Sequence, residues 1–253
     1  MNDQPVTPGI IVMDKPEGPG STGMVRLVKG RLRAGGAPKK VKVGHGGTLD
    51  PLASGVVVVL VGKATKLCDI VMAGEKRYLA GIDLSAVTPS LDRETERTEV
   101  PVDQPPTRAM VEAAAATFVG HIEQVPPAYS ALWIDGKRAY NMVRAGEMPE
   151  MQSRAAHVLG VRVMSYAWPQ VVLDIRCAKG VYIRSIARDL GALLGTGGML
   201  SWLRRTQVGR WSIRDAVPPW RLPREIDPWD DSGQLVRDVS GLMPARPSDP
   251  TFH

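Results

Sequence analysis

The stretch Lys42-Val-Gly-His-Gly-Gly-Thr-Leu-Asp-Pro-Leu-Ala-Ser-Gly55 runs directly into the apolar segment Val56-Val-Val-Val-Leu-Val61. Its glycines allow backbone conformations that are closed to other residues and let the chain come close to a ligand. A lone histidine, His45, and a lone aspartate, Asp50, lie in this loop, and the apolar segment has the composition of a buried strand. A polar pair on a glycine-rich loop beside a buried strand is typical of a functional site.

A simpler interpretation of Asp50-Pro51 is the start of a helix. Aspartate is a preferred N-cap residue, and proline is favoured at the first helical position. Because helix caps are far commoner than catalytic carboxylates, the spacing alone favours the helix start. Both interpretations therefore stay open until other parts of the chain are considered.

Length and composition exclude several classes of protein. A chain of 253 residues suits one large domain, or one domain with an appendage. No apolar run is long enough for a membrane span, and the N-terminus lacks the features of a signal peptide, so we expect a cytoplasmic protein. The two cysteines and four histidines show no metal-ligand spacing, and we expect no metal.

The net charge of +6 is modest, but the positive charges are segregated. Between Gly18 and Leu49 there are seven basic residues and no acidic one, and the stretch from Leu190 to Arg214 holds four arginines and no acid. Segregation of one sign favours a phosphate-binding face over an ordinary solvated surface. Neither stretch alone distinguishes RNA from DNA or from an acidic protein.

Hydrophobic periodicity predicts strands that arrive in hairpins rather than in regular alternation with helices. This pattern predicts an α+β domain around a mainly antiparallel sheet. Residues 88–104 are charged and contain proline, so we expect a surface excursion there. The predicted strands are 9–13, 56–61, 75–84, 158–166 and 171–177, and the predicted helices are 21–33 (capped by Ser21 or Thr22), 64–72, 107–118, 137–145 and 183–194.

Short motifs recur along the chain from residue 9 to about residue 214. Besides the opening stretch they are Met13-Asp-Lys-Pro-Glu-Gly18, Gly62-Lys-Ala-Thr-Lys66, Lys76-Arg-Tyr78, Tyr129-Ser-Ala-Leu132, Gly136-Lys-Arg-Ala-Tyr140, Lys179-Gly-Val-Tyr-Ile-Arg184 and Leu203-Arg-Arg205. In this order they closely resemble the TruB family of tRNA pseudouridine synthases. The resemblance implies the pseudouridine synthase fold, a bent, mainly antiparallel mixed sheet flanked by helices and RNA-binding loops, with a catalytic domain over 9–225 and an RNA-gripping thumb over about 127–150.

The resemblance also implies a set of site residues. Asp50 matches the catalytic aspartate, which either attacks the sugar covalently or removes a sugar proton to give a glycal; the sequence leaves both open. Arg184 matches the arginine that pairs with this aspartate and compensates its buried charge, and Tyr78 matches the tyrosine that stacks on the target uracil. Tyr182 and Leu203 match positions that line the base pocket. Without the resemblance, Arg184 is a solvated arginine at a helix start and Tyr78 an ordinary core tyrosine.

A second set is implied to contact RNA. His45 matches the histidine that fills the space left by the flipped base, and Lys15 lies in a motif that supports the site. Two departures from the family pattern stand out: Gly46 replaces a frequent threonine, which we expect to loosen the loop, and Pro89 falls on a frequent aspartate, which puts any contact there in doubt. The residues assigned to RNA contact are His45, Lys15, Arg204, Arg205 and Lys137.

The predicted function is isomerisation of the T-loop uridine of tRNA, at position 55, by a monomer that needs no cofactor, metal or membrane. One alternative is a catalytically silent RNA-binding or tRNA-folding protein on the same scaffold. Another is a guide-RNA-dependent synthase, which depends on a C-terminal RNA-binding domain. We expect no such separate domain here, because residues 226–253 are an acidic, proline-rich tail.

Overall fold

A computed structural model describes residues 6–134 and 136–230 of the chain. The strands are β1 (Gly9–Lys15), β2 (Val43–His45), β3 (Ala53–Val61), β4 (Lys76–Asp83), β5 (Ala86–Val87), β6 (Thr98–Glu99), β7 (Gly120–Gln124), β8 (Trp133–Ile134), β9 (Lys137–Arg138), β10 (Arg154–Ala167), β11 (Gln170–Cys177), β12 (Met199–Val208) and β13 (Trp211–Ser212). The helices are α1 (Ser21–Ala34), α2 (Cys68–Ala73), α3 (Arg108–Ala116), α4 (Ala139–Arg144) and α5 (Ile183–Leu194). Stretches of 3₁₀ helix lie at Gly62–Leu67, Ile213–Asp215 and Pro219–Arg221.

Over these ranges, nine of the strands form one mixed sheet. The order is β1-β3-β12-β4-β11-β10-β7, with β2 beside β3 and β13 beside β12. Neighbouring strands are antiparallel except for β3 and β12, which run parallel. The predicted α+β fold with a mainly antiparallel mixed sheet is confirmed.

The apolar run that follows Asp50 forms β3, an interior strand of this sheet between β1 and β12, and is buried on both faces. Val57, Val59 and Val61 belong to the larger core cluster, whereas Val56 and Val58 belong to a second cluster on the opposite face. Burial on both faces explains why the strand is continuously apolar instead of alternating. On the side of the larger cluster, α1 packs through residues spaced four apart, as an amphipathic helix does; these are Met24, Val28 and Leu32.

The parallel pair forms a narrow seam in the sheet. Only Leu203–Arg205 of β12 and Ala53–Gly55 of β3 are paired, whereas β12 and β4 are paired along most of their length. At the seam, Gly55 has a φ of 109°, and a Cβ there would collide with the main chain of Arg205. Glycine is therefore required for β3 and β12 to approach each other.

Two predictions of local structure need correction, and one open alternative is excluded. No helix starts at Asp50-Pro51, because the chain makes a turn there and enters β3 directly. Neither Ser21 nor Thr22 caps α1; the N-cap is Gly20. The segment 88–104 is not wholly on the surface, because Ser90 and Asp92 are buried.

The predicted end of the domain at residue 225 is also too early. The side chain of Ile226 lies in the larger core cluster, and its backbone N–H donates to the carbonyl oxygen of Arg31 on α1. The N–H of Thr7 donates to the carbonyl oxygen of Pro228. Packing against the domain thus reaches at least Pro228, and residues 231–253 of the predicted tail lie outside the described residues. In the described ranges, no helix has the length and apolar character needed to cross a membrane.

Candidate active site

The loop that carries Asp50 is held from three directions. The Ser21 hydroxyl of α1 accepts from the N–H of Leu49 at 2.8 Å and donates to its carbonyl oxygen at 3.2 Å. Arg205 of β12 donates to the carbonyl oxygens of Gly47 and Thr48, and Lys15 at the end of β1 donates to that of Pro51. These bonds give a glycine-rich loop a defined conformation around one carboxylate, as a catalytic group requires.

Arg184 in the first turn of α5 forms an ion pair with Asp50, with Nη2 and Oδ2 3.0 Å apart. The guanidinium also donates to the carbonyl oxygens of Ser90 (3.0 Å) and Tyr129 (2.9 Å). A second carboxylate, that of Asp92, lies 3.6 Å from Nη1. Arg184 is therefore held in place by two carbonyl oxygens and the carboxylate of Asp92 as well as by Asp50. A planar guanidinium, with donors pointing in several directions, suits these partners.

A cavity of about 270 Å³ opens beside this ion pair. Its walls bring together every residue that the resemblance assigns to the reaction or to the base pocket, although these residues lie far apart in the chain. The cavity is large enough for a pyrimidine base. The five predicted residues among its lining are Asp50, Tyr78, Tyr182, Arg184 and Leu203.

Burial raises the pKa of both tyrosines in this cavity. For Tyr78, the neighbouring Arg205 opposes the effect, but burial is the larger cause, so the phenol stays protonated at neutral pH. Tyr182 is held through its backbone, because its N–H donates to Oε1 of Gln124 at 2.8 Å and its carbonyl accepts from Nε2 at 3.1 Å. The cavity therefore offers neutral aromatic rings beside a charged pair.

Two of the predicted RNA contacts are corrected because their side chains are buried. Lys15 has no exposed area and donates to the carbonyl oxygens of Pro16 and Pro19 as well as to Pro51. Arg205 is 1% exposed, and its remaining donor, Nε, bonds to the carbonyl oxygen of Val56 at 2.8 Å. Both residues support the loop of Asp50 instead of reaching an RNA.

His45 lies at the end of β2, at the point where β2 and β12 pair with different parts of β3. Burial, followed by the charge of Arg205, lowers its pKa, so the imidazole is neutral at pH 7. It is not among the described residues that line the cavity. Gly46 beside it does not loosen the loop, because the space that a side chain would need is occupied by Val71.

Arg204 and Lys137 are more accessible and stay predicted RNA contacts. Arg204 is paired with Asp14 at 2.8 Å, and Lys137 with Glu147 at 3.2 Å on the thumb. The first acid-free stretch places several of its basic side chains in solvent on α1 and on the loop before β2. The exposed ones are Arg26, Arg33, Lys39, Lys40 and Lys42.

Sequence reasoning missed Asp92 and Ser90. Both lie in the segment expected to be a surface excursion, yet both contact Arg184. The available signal was the pattern of serine, threonine and aspartate next to Pro89, since such residues bond to nearby backbone and fold a segment on itself. Ser90 does so: its N–H and hydroxyl both bond to the hydroxyl of Thr95.

Known proteins are similar to this chain over most of its length. The family model described as TruB family pseudouridylate synthase (N terminal domain) matches residues 36–183, which is more than half of the chain. The chain belongs to the TruB family. Membership makes it a pseudouridylate synthase, which is an isomerase. Among the residues that the structure describes, no three His, Cys, Asp or Glu side chains form a group that could hold a metal ion.

Relatives within the TruB family are similar over most of the chain. A tRNA pseudouridine synthase B of Phocaeicola vulgatus is 38% identical over 223 residues, which cover 86% of this chain and 95% of the relative. One of Zymomonas mobilis is 44% identical over 209 residues, covering 83% and 68%. A chain in the crystal structure of a Cbf5-Nop10-Gar1 complex superposes with a TM-score of 0.60 at 29% identity. That match covers 83% of this chain but only 52% of the solved one, so the TruB-family chain spans about half of it.

Proposed function

We propose that this TruB-family chain converts uridine to pseudouridine in the T loop of tRNA, at position 55. The observation that supports this best is the Asp50–Arg184 ion pair at a base-sized cavity that Tyr78, Tyr182 and Leu203 also line. The names of the curated relatives support tRNA as the substrate. The T-loop position and the roles of the individual residues are our inference.

The reaction needs only what this cavity offers. The bond from C1′ to N1 of uracil breaks, the base turns, and a bond from C1′ to C5 forms. C5 loses its proton and N1 carries one in the product, so substrate and product are isomers and no external group or electron is consumed. We therefore expect the reaction to proceed without a cofactor, and we keep the expectation from the sequence that the protein is a cytoplasmic monomer.

Asp50 is the group placed to start the reaction. Its side chain is 42% exposed, whereas that of Arg184 is 7% exposed, so the carboxylate faces the cavity while its cation lies behind it. Either attack on C1′ or removal of a sugar proton needs a carboxylate at this place, and the guanidinium of Arg184 holds it there. The geometry is compatible with both routes.

Tyr78 supplies an aromatic face for the extracted uracil. Extraction of a base from its stack costs a few kcal/mol, and stacking on an aromatic side chain returns about 1–3 kcal/mol. A loop nucleotide is already partly unstacked, which lowers the cost further. The exposed side chains of Lys39, Lys40 and Lys42 provide a cationic surface for the phosphates of such a loop.

The test is to incubate the pure protein with an unmodified T-arm hairpin and to map pseudouridine. We expect conversion at one loop uridine, and no conversion when that uridine is replaced by cytidine. Asp50→Asn and Asp50→Ala should abolish turnover while RNA affinity stays within a few-fold of wild type. The alanine variant is a control for slow deamidation of the asparagine.

Two outcomes would change the conclusion. Tight binding of the hairpin without conversion by the wild type would favour the alternative of a silent RNA-binding protein. Turnover by a clean Asp50→Ala preparation would remove Asp50 from the mechanism.

A further inference from the structure

The thumb carries an open groove that is separate from the base cavity. The groove has a volume of about 400 Å³ and lies between the β8–β9 hairpin, α4 and the segment that leads into β10. No predicted site residue lies in it. We call it the thumb groove and define it by Trp133, Ile134, Met142, Met148, Met151 and Arg154.

Trp133 is the most unusual member of the thumb groove. Its side chain is exposed and shares the groove with the exposed Met148, so the two form a patch instead of a single scattered residue. Its cross-strand partner is Arg138, whose guanidinium carbon lies 4.3 Å from the centre of the ring. Arg138 also donates to the carbonyl oxygen of Ala131, so the cation is held over one face of the indole. An indole supported on one face by a fixed cation is prepared to stack on its other face.

The remaining lining is adaptable and partly cationic. Met142, Met148 and Met151 are flexible, polarizable side chains that can fit irregular shapes, and Met148 is strongly exposed. Arg154 adds a positive charge at the β10 end, and Glu150 is the acid in the lining. With Arg138 over the indole, the cations outnumber the carboxylate, which favours an anionic occupant.

The thumb groove is separate from the base cavity, but the two are neighbours along the chain. Residues 130–132, which line the cavity, lead directly into Trp133, which lines the groove. At the other end, the charge of Arg154 is close enough to lower the pKa of Tyr182, a cavity residue, although burial has the larger and opposite effect on that tyrosine. A polynucleotide with one base in the cavity therefore has its neighbouring nucleotides beside the thumb groove.

From this arrangement we propose that the thumb groove binds one unstacked nucleotide that flanks the target uridine, with its base stacked on Trp133 and its phosphate near Arg154. The inference rests on the proposed function, since it needs an RNA whose target base enters the cavity. The chemistry is that of single-strand recognition, in which aromatic stacking holds a base and cations hold the backbone. A nucleotide fits this groove better than a purely apolar partner, which would cover Arg154 without pairing its charge.

The first experiment compares variants of the two exposed tryptophans. Trp133→Ala should weaken binding of the T-arm hairpin by about tenfold, as loss of one stacked base does, and Trp133→Phe should retain most of the affinity. Trp220→Ala is the matched control, because Trp220 is also exposed but lies on the 3₁₀ stretch Pro219–Arg221. It should bind like wild type. Thermal unfolding should be unchanged in all three, because an exposed ring contributes little to the core.

The second experiment locates the nucleotide. Each nucleotide that flanks the target uridine is made abasic in turn, and affinity is measured with wild type and with Trp133→Ala. At one position the abasic site should weaken binding by wild type about tenfold and leave binding by Trp133→Ala almost unaffected. At the other positions both proteins should respond equally.

The possible failures are distinguishable. If wild type makes no pseudouridine in the intact hairpin, the proposed function is wrong. If wild type is active but Trp133→Ala binds every RNA as wild type does, the thumb groove does not hold a nucleotide and serves a different partner. Equal penalties for the two proteins at every abasic position would also overturn the inference.

Discussion

The guanidinium of Arg184 lies 3.0 Å from the carboxylate of Asp50, but the two partners are buried very unequally. Arg184 is 7% exposed and Asp50 is 42% exposed. The family resemblance suggests instead that the carboxylate is the buried member of the pair. In the structure the arginine is buried, and the group that shares its burial is Asp92, whose side chain is 9% exposed. The cost of removing Arg184 therefore falls on Asp92 more than on Asp50.

Replacement of Arg184 tests this assignment. Arg184→Met leaves the buried carboxylate of Asp92 without its cation, and removal of one partner of a buried ion pair costs about 3–5 kcal/mol. We expect a decrease of that size in the free energy of unfolding, measured with denaturant, together with loss of turnover. Arg184→Lys should restore both only in part, because an ammonium cannot reproduce the planar set of donors.

Double variants separate the two carboxylates. Asp92→Asn in the Arg184→Met background should recover part of the lost stability, because the orphaned charge is gone. Asp50→Asn in the same background should recover little, since Asp50 has access to water. Equal recovery of stability from the two substitutions would contradict this prediction, because it would show that the difference in burial between Asp92 and Asp50 has no effect on the cost of losing Arg184.

Arg205 is expected to be structural, in contrast to the RNA contact that the sequence predicts. Arg205→Met would remove the donor that Arg205 supplies to three carbonyl oxygens of the Asp50 loop and β3. Each buried polar group left unsatisfied costs about 1–3 kcal/mol. We expect a decrease of about 3 kcal/mol or more in the free energy of unfolding, with the salt dependence of RNA binding unchanged.

The exposed lysines of the first basic stretch, unlike Arg205, are expected to affect the salt dependence of RNA binding. Replacing Lys39, Lys40 and Lys42 by glutamine should make the plot of log affinity against log salt shallower, while stability hardly changes. The slope should fall by about 0.7–0.9 for each RNA phosphate that a lysine no longer neutralises. Arg108→Gln is a matched control, because its charge is paired with Glu112. A shallower salt dependence for Arg205→Met would return Arg205 to the RNA surface.

We expect stability to require glycine at residue 46, because the side chain of Val71 occupies the adjacent space. A threonine at residue 46 would place its Cβ against the buried side chain of Val71, and overpacking of this kind costs about 1–3 kcal/mol. We expect Gly46→Thr to lower stability, and to lower it much less when Val71→Ala is present, because the alanine frees that space. Strictly additive effects in a denaturation cycle of the four proteins would contradict the contact.

Lys15 should make stability depend on pH in the alkaline range. Burial lowers its pKa from the ordinary 10.5 to about 8, although the carboxylate of Asp50 opposes the shift. Between these two pKa values the unfolded chain binds the proton and the folded chain does not, so wild-type stability should rise with pH relative to Lys15→Met, by about 1.4 kcal/mol per pH unit. Below the lowered pKa, the difference between the two proteins should be constant. A difference that stays constant through the alkaline range as well would show that the pKa is not lowered.

The sequence was sufficient for elements with a strong local pattern. The continuous apolar run after Asp50 predicts a buried strand, and the spacing of apolar residues from Ile183 to Leu194 predicts α5 with the bounds that the structure has. The base cavity followed from motif resemblance, because its members are far apart in the chain. Only the resemblance could connect Asp50 with Arg184, since neither periodicity nor charge relates residues separated by most of the domain.

The errors arose where a tertiary contact decides the role of a residue. Arg204 and Arg205 are neighbours in a basic stretch, but neighbouring residues of a strand point to opposite faces, and only Arg205 is buried. A count of charges cannot tell them apart. Similarly, the polar segment around Asp92 has a surface composition, yet it folds inward because Arg184 provides a buried charge for it to neutralise.

The narrow seam between β3 and β12 should make the rate of catalysis sensitive to the separation of these two strands. Asp50 precedes β3 on one side of the seam, whereas Tyr78 and Arg184 belong to the side of β4 and α5. The ladder between the two described strands has three residue pairs, and the side chain of Arg205 adds a bond to the carbonyl oxygen of Val56. A small opening of the seam would lengthen the distance between Asp50 and Arg184. Heat, pressure or a side chain at Gly55 should therefore reduce turnover before the protein unfolds. The rate of turnover would then report on the spacing between β3 and β12.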